Sequence, residues 1–155
     1  MSFKITARTL AEVREDLGAD APALDAVLQA HPVAAGSSDV EARPWVQLAY
    51  HEIDKDDLQA VLSYAGITMA GSPIGLPCAT APIEVPPDAI LFSTQALRAS
   101  IEQRFGSVLG ERAQFASLRE FLEARELSAA EYLATAVVDA CVWCESHGHA
   151  LVIRW

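Results

Sequence analysis

Ser128-Ala129-Ala130-Glu131-Tyr132-Leu133-Ala134-Thr135-Ala136-Val137-Val138-Asp139-Ala140-Cys141-Val142-Trp143-Cys144-Glu145-Ser146-His147-Gly148-His149-Ala150-Leu151-Val152-Ile153 is the stretch on which the fold reading turns. It opens with Ser-x-x-Glu, a capping box in which Ser128 and Glu131 can satisfy each other's free backbone N–H groups. Leu133, Val137, Ala140, Cys141 and Cys144 then recur at helical spacing and predict the most apolar helix of the chain, running to about Ser146. Glu131, Thr135, Asp139, Val142 and Ser146 fall on a narrower polar stripe, which places Asp139 at a solvated edge, not in a buried catalytic position. Gly148 offers a left-handed stop. Ala150 to Ile153, uninterrupted by polar residues, reads as a buried strand.

Working outward, Phe115, Leu118, Phe121 and Leu122 mark a helix before this unit. Ala89–Phe92 reads as a short buried strand, and Ser93 caps a helix with Leu97, Ile101 and Phe105 on one face, closed by Gly106. Residues 66–88 carry five of the eight prolines. They either hide short strands at Ile67–Met69 and Ile83–Val85 or form a binding loop, since structureless loops beyond roughly 12–15 residues are uncommon in compact domains. Asp54 is placed to cap a helix whose buried face is Leu58, Val61, Leu62 and Ala65, closed by Gly66. Trp45 to Ile53 alternates and is read as a strand, after a loop over 33–44. At the start, Phe3, Ile5 and Ala7 alternate as a half-buried strand, and Thr9 and Glu12 form a second capping box before Leu10, Val13 and Leu17. Gly18 ends that helix, Asp20 is read as the N-cap of the next (Leu24, Val27, Leu28), and Pro32 stops it. About six helices with three to five strands that do not alternate cleanly argue for α+β. The expectation is one helix-rich domain over 1–155 with a small sheet, mixed or antiparallel.

Bulk composition narrows the function classes. Apolar residues make up 52% and charged residues 21%, a globular and not a disordered balance. Eleven basic against twenty-one acidic residues give −10, which argues against general affinity for nucleic acid or anionic lipid. The charge is uneven: residues 1–92 hold five basic and thirteen acidic residues (−8), and residues 93–155 hold six and eight (−2). No uncharged apolar run is long enough for a transmembrane helix, and the N-terminal residues lack a signal-peptide pattern. Three cysteines do not suggest a disulfide framework, so a reduced, cytoplasmic protein is expected. Twenty-eight alanines, nine arginines and only two lysines match the bias of a GC-rich bacterial coding sequence.

Candidate chemistry is sparse. Cys141, Cys144, His147 and His149 are the ligand types zinc prefers. Yet Cys141 and Cys144 share the apolar face of the helix, where buried thiols pack as small apolar residues, and His147 can serve the helix dipole. A redox role would want the thiols at a helix N-terminus, and here they are near its C-terminal end. Cys78 in the proline-rich stretch could act as a nucleophile with His51 as its base, if the fold joined them. His51, Glu52, Asp54, Asp56 and Asp57 could do acid–base work or hold a hard cation. They do not have EF-hand spacing, and acidic residues are ordinary at a helix start. Gly71-Ser72-Pro73-Ile74-Gly75 lacks the lysine and hydroxyl of a phosphate loop, and hydrolase-elbow, zinc-protease and dinucleotide signatures are missing.

The reading that follows is a non-enzymatic protein-binding module: a small acidic bacterial immunity or inhibitor protein that neutralises a basic toxin or effector. Glu52, Asp54, Asp56, Asp57, Ile74 and Leu76 would contact the partner. The alternatives are a small enzyme using Cys78 and His51, or a zinc-binding domain using Cys141, Cys144, His147 and His149. Nucleic-acid and membrane partners are not expected. A homodimer is open, since mean hydropathy is +0.20.

Overall fold

The computed structural model describes residues 4–33, 55–63, 73–78, 83–85 and 89–154. In chain order these form β1 (Lys4–Arg8), α1 (Leu10–Leu17), a 3-10 turn (Gly18–Asp20), α2 (Ala21–Ala30), α3 (Lys55–Ser63) and β2 (Ile74–Leu76). After them come β3 (Ile83–Val85), β4 (Ala89–Ser93), α4 (Thr94–Arg112), α5 (Leu118–Ala124), α6 (Ala129–His147) and β5 (Ala150–Arg154).

Local chemistry sets most boundaries. Both capping boxes form: Thr9 Oγ1 accepts from the Glu12 N–H at 3.1 Å, and Ser128 Oγ accepts from the Glu131 N–H at 3.2 Å. Each glutamate accepts in return from its cap's own N–H, at 2.9 and 3.2 Å. Gly148 adopts the left-handed conformation (φ 64, ψ 31), and the His149 N–H reaches the Cys144 carbonyl at 3.0 Å. That closes α6 and turns the chain into β5. Asp20 precedes α2 but makes no side-chain cap bond, because the 3-10 turn runs straight into the helix.

Gly106 does not close α4. The helix continues to Arg112, and the break in its conformation falls at Phe105 (φ −117, ψ 24). Beyond it Val108 is buried against Leu118, Phe121 and Ala136, and that packing outweighs the poor helix propensity of a glycine. Thr135, expected on the polar stripe of α6, is fully buried, and its hydroxyl donates back to the carbonyls of Glu131 (3.0 Å) and Tyr132 (2.8 Å).

The five described strands form one mixed sheet in the order β1-β5-β2-β4-β3. β5 runs antiparallel to both β1 and β2, β2 runs parallel to β4, and β3 returns antiparallel along β4. β5 is buried on both faces. Leu151 and Ile153 join Ile5, Ala7 and Phe92 on the side packed by α6, α4 and α3, while Ala150 and Val152 join Ile74, Leu76 and Leu91 on the side covered by α1 and α2. The result is three layers, an α+β architecture with α6 as the central helix of the larger layer. Gly75 makes the sheet pack: a Cβ there would stand 2.6 Å from the Phe92 ring and 2.9 Å from the Thr94 methyl. The expected strands at Trp45–Ile53 and Ile67–Met69, the Asp54 cap, and Ala65 and Gly66 lie outside the described residues.

Candidate functional site

The C-terminal Cys/His group divides into two environments. Cys141 and Cys144 are fully buried in the cluster that holds Leu97, Ile101 and Val137. Burial pushes the Cys141 thiol well above its ordinary value, with Cys144 and Glu145 adding to the rise and Arg98 opposing it. The imidazoles gather around Trp143 instead. His147 lies stacked on the indole (centroids 4.1 Å apart, 13° between planes), and His149 stacks at 5.0 Å and 21°. His147 Nδ1 stands 2.8 Å from the Trp143 carbonyl, which can only accept, so that nitrogen carries the proton. Among the described residues no three His, Cys, Asp or Glu side chains converge as a metal would need. Trp143 is the member the sequence reading passed over. Its i,i+4 spacing to His147 was the available signal.

The proline-rich stretch behaves differently from expectation. Ile74 and Leu76, expected to contact a partner, are strand residues of β2, buried to 6% and 1% exposure. β2 sits between β5 and β4 with helices over both faces, so these side chains are core. Cys78 is buried just past β2, and its carbonyl accepts the Ser93 hydroxyl, which in turn accepts from the Ala96 N–H at 3.1 Å. His51, Glu52 and Asp54 lie outside the described residues, so no pairing of Cys78 with His51 can be placed. Asp56 and Asp57 lie on α3.

What the structure brings together at the surface is charge. Six arginines are each held by the chain's own carboxylates: Arg8 by Asp16 (2.9 Å), Arg14 by Asp25 (3.0 Å), Arg98 by Glu145 (2.9 Å), Arg112 by Asp139 (2.8 Å), Arg119 by Glu123 (3.5 Å), and Arg125 by Glu111 and Glu131. Two of these pairs tie α4 to α6. Arg98 grips Glu145 with two nitrogens, Nε at 3.1 Å and Nη2 at 2.9 Å, and also donates to Glu102 at 3.2 Å. Arg112 bonds Asp139 from the other end of α4 and donates to the Phe115 carbonyl at 3.0 Å. Asp139 is thus a half-buried ion-pair partner. Val142, the exposed large apolar residue among the described ones, lies on α6 between Asp139 and Glu145.

No family model, curated protein or solved structure matches this chain. No helix among the described residues is long and apolar enough to cross a membrane.

Proposed function

We propose that this chain is a non-enzymatic binding module that captures a basic partner protein, in the manner of a small acidic bacterial immunity or inhibitor protein. One observation carries the reading. Six of its nine arginines are bound by the chain's own carboxylates, in a protein with a formal charge of −10. Such pairs contribute little stability at a surface, but they remove isolated positive patches. The net balance is acidic, which steers a basic partner and repels acidic ones. The nucleophile and metal alternatives gain no comparable support, since the thiols are packed as core.

The test is an affinity capture from cytosolic extract at low salt, followed by kinetics with the purified prey. The expected prey is basic. It associates at a rate that falls steeply with ionic strength, and it is lost when Asp54, Asp56 and Asp57 are all changed to lysine. A neutral or acidic prey, or unchanged association with the triple variant, overturns the reading.

A further inference from the structure

α4 changes character at its bend. Before Phe105, Leu97 and Ile101 are fully buried in the main core, and Arg98 holds Glu145 of α6 with two nitrogens. Phe105 is not helical (φ −117, ψ 24). Beyond it, Val108 turns from that core to a second cluster with Leu118, Phe121 and Ala136. We propose that residues 106–124, the tail of α4 together with α5, form a flap that detaches from α6 as one cooperative unit while the rest of the fold stays closed.

The flap has a joint at each end. One is the bend at Phe105, beside Gly106. The other is Arg125, extended (φ −142, ψ 134) between α5 and the Ser128 cap of α6. Between the joints the flap is tied to itself. Arg112 Nη1 donates to the Phe115 carbonyl at 3.0 Å, the Phe115 and Phe121 rings lie 5.4 Å apart, and Ser117 caps α5. Its seat on α6 is slight by comparison. Ala136 is the one α6 residue in the second cluster, and of residues 106–124 only the partly buried Leu109 also packs against the main core. The remaining tie is the ion pair of Arg112 with Asp139, at 2.8 Å and partly exposed on both sides. Gly106 and Gly110 would each carry a Cβ into open space, so neither serves close packing, and each weakens the helix it stands in. Few buried contacts and a solvent-reached ion pair are the marks of a segment that opens below the global unfolding free energy. Once detached, neither short helix can stand alone, so their amides are released together. Opening bares Phe121 and Ala136, apolar surface that the closed fold hides.

The inference does not rest on the basic-partner reading. Its test is native-state amide hydrogen exchange of the full chain by NMR, across a series of low urea concentrations at low and high salt. The protected amides of 108–113 and 121–125 should share one opening free energy and one urea dependence, both smaller than those of 97–104 and 133–144. Asp139→Asn should speed exchange in the flap about fivefold and leave 97–104 and 133–144 unchanged. High salt should act in the same direction on the wild-type chain, which gives the readout should the variant not fold. Gly106→Ala, which stiffens the first joint, should slow flap exchange about threefold. Flap amides that exchange only together with those of α6 overturn the proposal. So do unequal opening energies for the α4 tail and α5, which would be separate fraying, and an Asp139→Asn effect spread evenly over both halves of α4.

Discussion

α4 and α6 are both nineteen residues long and lie against each other, yet they are built in opposite ways. α6 buries ten residues, from Leu133 to Cys144, whereas α4 buries four and breaks its helical geometry at Phe105. α6 is therefore held chiefly by the core, and its capping box and glycine stop refine its ends. α4 sets only Leu97 and Ile101 into that core and relies more on its margins: a buried serine cap, two ion pairs to α6, and a satellite apolar cluster shared with α5. The lesson is that equal length does not mean equal dependence on packing, and substitutions of the same kind should separate the two helices.

The largest separation should come from truncating apolar side chains. Leu133→Ala in α6 removes a fully buried side chain and should cost about 2–5 kcal/mol in urea unfolding. Leu109→Ala in α4, only partly buried, should cost less than half as much. Equal losses would break the contrast. Next come the caps. Ser128→Ala should cost about 1 kcal/mol, and Ser93→Ala about 2 kcal/mol, because it also removes the buried hydrogen bond from the Ser93 hydroxyl to the Cys78 carbonyl. The opposite order would mean that the α4 cap contributes no more than an exposed one.

Gly106→Ala sharpens the comparison with a gain. A Cβ at Gly106 meets nothing within 4 Å and its φ is not positive, so the substitution should stabilise by about 0.5–1 kcal/mol, read as a raised urea midpoint. A loss would show that the bend at Phe105 needs the glycine. The smallest effect is a pH dependence. The Ser128 backbone N–H, then the Ser128 hydroxyl, hold the Glu131 carboxyl below its usual range. A depressed folded-state value means that the charged form favours folding, fully above the unfolded value, and that this is lost as pH falls through the folded one. Glu131→Gln should therefore be slightly less stable than wild type at neutral pH and equal to it in strong acid. A gap that persists in acid would assign the loss to geometry instead of charge.

How legible each region was follows from how local its cause is. Ser128, Glu131 and Gly148 act within one turn of themselves, and both ends of α6 stand close to where spacing puts them. The i,i+3 cysteines were readable as core for the same reason. β2 was not readable: three residues between Pro73 and Pro77, buried on both faces, show no alternation, and their pairing with β5 depends on residues far along the chain. That is why Ile74 and Leu76 looked like loop contacts. Gly106 misled because a glycine's local penalty was weighed without the distant cluster around Val108 and Phe121 that overrides it. The Arg98–Glu145 clamp between α4 and α6 was not legible for the same reason, since its partners are forty-seven positions apart.

The place of β5 in the sheet has a consequence in time. Lys4 pairs with Arg154, and β5 stands between β1 and β2. A ribosome making roughly 5–20 residues per second therefore presents β1 about 8–30 s before the strand that joins it to the rest. Through that interval the edge of β1 and the apolar faces meant for Leu151 and Ile153 have no native cover. Among the described strands, β5 is thus the one whose synthesis lets β1 join the rest of the sheet.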